Sequence, residues 1–216
     1  MFAMENSNKN EPRWERRKDA RPSELCAAAL SLFVEKGFAA TRLEDIAIRA
    51  GVSKATLYLY FDGKEALFKE VVRANLLPAL AQSEQKLADF QGSSAELLHL
   101  LIQNWWQVID SSAVGGLPKL MISEAQNFPA LARFYHDEVI VRGKNLLARI
   151  LERGIRRGEF RSTDMKTTVE AMLGPMLLMA LWKYSFAPLA PDEFEPALTL
   201  RTAVDLFLNG LRHENA

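Results

Sequence analysis

The stretch that most constrains this chain runs from Thr41 to Phe68, TRLEDIAIRAGVSKATLYLYFDGKEALF. Thr41 followed by Glu44 reads as a capping box, in which each side chain satisfies a backbone N–H at a helix start. Ile46, Ala47 and Ala50 recur at helical spacing and form one apolar face. Ala47 is small enough for another helix to cross closely. Gly51 falls where the helix stops, and a left-handed residue there turns the chain sharply. Val52 plugs the corner. Ser53 caps a second helix from about Lys54 to Tyr60, with Leu57 and Phe61 facing inward. This is the helix-turn-helix pattern, in which the second helix is offered to the DNA major groove. A plain helical hairpin shares the turn. Against it, the second helix is too short to be held by its own packing.

With Leu57 pointing in, Ala55 and Leu59 point most directly outward, flanked by Thr56 and Tyr58. Ala55 and Leu59 have no side-chain hydrogen bond to offer, so their contacts are apolar, chiefly thymine methyls. Lys54 is the strong donor on this helix that could reach guanine, and Arg42 is a second candidate for base contact. Thr41, Ser53, Tyr58, Tyr60 and Lys64 suit phosphates. Upstream, residues 1–20 carry little apolar content and read as a flexible basic arm. Arg13, Arg16, Arg17 and Lys18 cluster just before a first helix that opens at Pro22. The cluster is either a solvated tail or an arm reaching phosphates or the minor groove.

From about Leu25 to Phe68 the sequence resembles the TetR/AcrR-type bacterial transcriptional regulators. Ile46, Ala47, Ala50, Gly51, Val52, Ser53, Thr56, Leu57, Tyr58, Tyr60, Phe61, Lys64 and Leu67 fall on that family's pattern. Leu59 and Gly63 depart from it, the second standing where serine commonly caps the next helix. The resemblance implies a homodimeric repressor of double-stranded DNA, dimerised through its last two helices and released by a small molecule bound in the middle ones. The segments SEAQNFPALARFY and ARILERGIRRGEF are also similar to AcrR-like regulators.

Composition agrees with an all-α protein of this size. The chain has 216 residues, 49% of them hydrophobic, which is ample for a core. Cys26 is the sole cysteine, so no intramolecular disulfide forms, and a small buried hydrophobe is the expected role. Formal net charge is zero, with a slight basic excess in residues 11–64. No signal-peptide pattern opens the chain. The longest apolar run, Ala171–Trp182, is too short to span a bilayer and contains Gly174 and Pro175. The expectation is a cytoplasmic protein without membrane association.

The expected organisation is an arm over 1–20, a three-helix DNA-binding head over 21–67, and a larger helical bundle over 68–216 for effector binding and dimerisation. In the bundle, helices are expected from Ala95 to Ile109, with Ser94 as cap, and from Leu117 to Gln126. Three more follow over Ala130–Arg157, Thr163–Phe186 and Asp192–His213. Both of the last two are apolar over a wide arc and need burial on two sides, most simply against a second copy. Leu173, Leu177, Leu181, Val204, Phe207, Leu208 and Leu211 are the interface candidates. Trp105, Trp106, Met121, Phe128, Met172 and Met176 could line an apolar cavity, with His99 and Asn104 orienting a ligand, or could be solid core.

Enzymatic readings find little support. His99, His136 and His213 have no metal-ligand spacing, and no phosphate loop or nucleophile elbow occurs, so neither cofactor nor metal is expected. Two alternatives remain open: a regulator answering to a protein partner or to no effector, and a helical interaction or enzyme domain that retains the motif.

Overall fold

A computed structural model describes residues 15–190, 192 and 195–212, with side chains from residue 22 onward. Every regular element among them is helical. The chain runs through α1 (Glu15–Lys36), α2 (Leu43–Arg49), α3 (Lys54–Tyr58), α4 (Lys64–Asn75), α5 (Leu77–Asp89) and α6 (Ser94–Ser111). A 3-10 turn (Ala113–Gly116) leads into α7 (Leu117–Glu124) and α8 (Pro129–Tyr135). A π-helical turn (His136–Ile140) then joins α8 to α9 (Val141–Arg156), followed by α10 (Met165–Lys183) and α11 (Pro196–Leu211).

Local chemistry explains most boundaries. Gly51, at φ 67°, closes α2 with paired bonds from its N–H to the Ile48 carbonyl (3.1 Å) and from Val52 N–H to the Ala47 carbonyl (2.9 Å). The Ser53 hydroxyl caps α3 by accepting from Thr56 N–H at 3.1 Å. Pro78 ends α4 and sits in the first turn of α5. Gly115 and Gly116 let the 3-10 turn bury closely: a Cβ on Gly116 would lie 2.6 Å from Val34 on α1.

Several expectations are corrected. The first helix starts at Glu15, not Pro22, so Pro22 lies inside it. Proline fits helical φ and forfeits one hydrogen bond, and the Glu-, Arg-, Lys- and Ala-rich run before it favours helix. Arg16, Arg17 and Lys18 therefore sit on the first turns of α1 rather than in a free arm. Their side chains, and all of Arg13, lie outside the described residues, as do Phe194 and His213. Ser93, not Ser94, caps α6, in a full capping box with Glu96. Ser94 is buried instead, its N–H donating to Glu159 and its hydroxyl accepting from Arg153 at 2.8 Å. The long helix expected over 130–157 is interrupted by the π-helical turn.

The buried apolar residues form two cores. One joins α1–α4 to the 3-10 turn, α7 and α8, around the ring cluster Phe33, Phe38 and Phe68, whose centroids lie 5.2–5.8 Å apart. The other joins α5, α6, α9, α10 and α11. The first core thus carries α7 and α8 onto α1–α4, and their seam is polar as well as apolar. Glu124, at 8% exposure, accepts from Ala39 N–H at 3.1 Å across 85 positions of sequence. Beside it Phe128 stacks edge-on against Phe38, with centroids 4.7 Å apart. Lys64 closes the same turn from the α4 side, donating to the carbonyls of Phe38 (2.6 Å), Ala39 (3.1 Å) and Thr41 (2.9 Å).

Removing the Glu124 carboxylate strands the Ala39 N–H at this seam. Glu124→Ala should cost about 1–2 kcal/mol in urea unfolding, while Glu124→Gln, which keeps an acceptor, should retain most of the stability.

Candidate functional site

The outer face of α3 is open. Leu57 is fully buried, whereas Lys54, Ala55, Tyr58 and Leu59 are exposed, Leu59 at 82%. A leucine this exposed gains nothing from its own fold. Thr56 and Tyr60 are half-buried; Thr56 shares a 2.8 Å hydrogen bond with the Ser53 hydroxyl, which leaves Ser53 on the open side. Arg42 is exposed at the N-cap of α2; its carbonyl accepts from Ile46 N–H at 3.3 Å, and its side chain neither hydrogen-bonds nor ion-pairs with a described residue.

Lys54 is not free. Its ammonium pairs with the Glu44 carboxylate on α2 and lies 5.9 Å from the Tyr58 ring centroid. The hydrogen bond between them pushes the Lys54 pKa up and the Glu44 pKa down. Glu44 is therefore not a capping-box partner: Arg42, not Thr41, is the N-cap, and no side chain caps α2.

Two residues expected at phosphates are committed elsewhere. Thr41 is 1% exposed, with its hydroxyl 2.7 Å from the Gly37 carbonyl and 3.1 Å from that of Leu32, so it locks the end of α1. Lys64 spends its three donors on the carbonyls named above and lies 4.5 Å from the Phe38 ring centroid, leaving none for a phosphate. Its partial burial lowers its pKa, a shift opposed by Glu124.

A chamber of about 780 Å3 opens between α5, α6, α7, α8, the π-helical turn, α9 and α10. Of the expected ligand residues, Asn104, Trp105, Met121 and Met176 line it. The others do not. Trp106 and Met172 are buried in the second core, Phe128 packs on Phe38, and His99 faces Asp205 of α11 at 3.4 Å. The sequence reading missed the α5 wall (Leu76, Ala79, Leu80, Lys86) and the far wall of Tyr135, His136, Val139 and Ile140. The interruption at His136–Ile140 places that far wall, and a π-helical turn re-aims side chains at a site in this way. Five residues, Gln82, Ser83, Lys86, Leu101 and Asn104, also line a groove of about 510 Å3 between α5 and α6, so chamber and groove share a border there.

The expected pairing face is redistributed. Val204, Leu208 and Leu211 are buried inside one chain, and Leu173 lines the chamber. Leu181 and Phe207 are half-buried. The exposed apolar side chains of α10 and α11 are Leu177, Leu178, Leu198 and Leu206. Cys26 is buried, and burial first, with Glu70 second, pushes its thiol up to about 11, so it stays protonated. No helix among the described residues is long and apolar enough to cross a membrane.

Two family models match: bacterial regulatory proteins of the tetR family over residues 25–71, and the tetracyclin repressor-like C-terminal domain over residues 89–200. The transcriptional repressor KstR2 of Rhodococcus jostii RHA1 is 32% identical over 146 residues, which is 67% of this chain and 70% of that protein. The solved structure of the ketosteroid transcriptional regulator KstR2 of Mycobacterium tuberculosis superposes with a TM-score of 0.70 at 23% identity, over 90% of this chain and 96% of that one. FadR of Bacillus subtilis in complex with stearoyl-CoA gives 0.67 at 18% identity, over 88% and 99%. With its helix-turn-helix and its C-terminal bundle both matched, and a relative at that identity over two thirds of each sequence, this chain belongs to the TetR family of bacterial transcriptional regulators and is a DNA-binding regulator of transcription.

Proposed function

We propose that two copies of this chain repress transcription by binding a palindromic operator, and that an apolar or amphipathic ligand in the chamber releases them. The observation that carries this is the pairing of an open recognition face with a large chamber, linked through α7, which lines the chamber and holds the turn between α1 and α2. Met121, Ile122 and Ala125 line the chamber in and just after that helix, while Glu124 holds the Ala39 turn of the head.

At the DNA, Ala55 and Leu59 make methyl contacts, Ser53, Thr56, Tyr58 and Tyr60 meet the backbone, and Lys54 and Arg42 supply charge and base preference. Arg16, Arg17, Lys18 and Arg13 add phosphate contacts from the start of the chain. Two heads must sit about 34–36 Å apart to reach successive major grooves. The exposed leucines of α10 and α11, contributed by each copy, form the seam that fixes this spacing. A ligand releases DNA only to the extent that it binds the mismatched head spacing better than the matched one, and DNA then weakens ligand binding by the same factor.

The neighbour FadR binds stearoyl-CoA, an apolar chain carrying an anionic group, and the chamber here suits the same general shape. Its inner walls are apolar and its junction with the groove is polar, with Lys86 exposed there. Gly143 lines the chamber, and an added Cβ would meet no atom within 4 Å.

Three outcomes test this reading. In anisotropy titrations on DNA upstream of the chain's own reading frame, Glu44→Gln frees Lys54 and should tighten binding, with a salt slope steeper by about 1. Lys54→Ala in the Glu44→Gln background should weaken binding and remove that added slope of about 1. Leu178→Glu combined with Leu206→Glu should leave a folded monomer by sedimentation that has lost operator binding. Gly143→Leu should fold, narrow the chamber, and repress with a weakened response to ligand. A wild-type chain that stays monomeric and ignores this DNA overturns the proposal.

A further inference from the structure

Of the polar residues lining the chamber, Gln82, Ser83, Lys86 and Asn104 cluster where it borders the groove, and Gln107, Ser111, Tyr135 and His136 lie away from it. Tyr135 is different. It ends α8, is 6% exposed, and belongs to the first core while also lining the chamber. Its hydroxyl hydrogen-bonds no described residue. Among the described residues no side-chain N or O atom fully sealed from solvent lacks a partner, so the Tyr135 Oη must keep some open surface, and the chamber is the space it borders.

The fold itself makes no use of this hydroxyl. It takes no partner among the described residues and borders the chamber, where water or a ligand can accept from it. Phenylalanine would fill the same place in the core. Burial also pushes the Tyr135 pKa well up, so the group is a neutral O–H donor at every working pH. A donor of this kind, on a wall shared with His136, Val139 and Ile140, matches an oxygen acceptor on a ligand.

We propose that Tyr135 is a specificity residue of the chamber: its hydroxyl donates to an oxygen carried on the apolar body of the effector, which makes the effector class oxygenated hydrophobic molecules rather than bare hydrocarbon chains. The inference rests on the chamber being the effector site. It also gives the ligand a handle on the head, because α8 packs against α4 and Tyr135 shares the core that contains Phe38 and Phe68. A ligand anchored here touches the same core that holds the recognition helix.

The test uses the full chain, tryptophan fluorescence from Trp105 in the chamber wall, and two matched series of probes. One series is decanoate, dodecanoate and hexadecanoate; the other is the corresponding ω-hydroxy acids. For at least one chain length, wild type should bind the hydroxy acid at least as tightly as the plain acid. Tyr135→Phe should lose about fivefold or more of its affinity for that hydroxy acid and keep its affinity for the plain acid. Because the hydroxyl has no partner in the fold, Tyr135→Phe should melt at or above the wild-type temperature. Equal loss of both ligands, no loss of either, or a melting temperature lowered by several degrees overturns the role of Tyr135 and leaves the chamber reading standing. If no acid of either series binds wild type, the chamber reading and this inference fall together.

Discussion

The carboxylate of Glu124 on the Ala39 N–H is the contact on which this architecture turns. It joins the end of α7 to the turn between α1 and α2, and the other carboxylate oxygen accepts from the Asn127 side chain at 3.4 Å. Phe128 against Phe38 supplies apolar cover, and Lys64 pins the remaining carbonyls of the turn from below. The 3-10 turn packed on Val34 of α1 and α8 packed on α4 hold the head as well, so a shift of α7 or α8 relative to α4 acts on the body that carries α3.

That geometry gives the chamber its purpose. Its walls include Leu76 at the end of α4, Met121 and Ile122 on α7, and Tyr135 on α8. These are the elements that grip the head. The opposite walls belong to α5, α6, α9 and α10, which the second core and the bidentate Arg142–Glu84 pair (3.1 and 2.8 Å) hold together. A ligand filling the space therefore lies between a rigid body and the parts that carry the reading helix. Coupling through such a packed boundary needs two arrangements that the ligand binds unequally.

Much of the head was legible in the sequence because its determinants are local. Ser53 as cap, Gly51 as the left-handed turn, Leu57 inward and Leu59 outward follow from spacing within a few residues. What the sequence hid was long-range. The Thr41 hydroxyl is drawn to the carbonyls of α1 rather than to its own helix, and nothing adjacent reveals it. Glu124 and Ala39 are 85 positions apart. In α6 and α10 apolar residues cover so wide an arc that periodicity could not say which faced the core and which faced open space. Trp105 and Met176 line the chamber while their neighbours Trp106 and Met172 are core. Likewise α11 has two apolar faces, and the one holding Val204, Leu208 and Leu211 turned inward, leaving Leu198 and Leu206 outside.

Residue-resolved amide exchange of the full chain, free and saturated with whichever probe acid binds, examines the seam most directly. The account predicts that the Ala39 amide is protected in the free protein despite its place in an exposed turn. It also predicts that this protection changes when the chamber fills, while amides inside the ring cluster of the head do not. An Ala39 amide that exchanges as fast as an unprotected loop, or that ignores a ligand known to occupy the chamber, would contradict it.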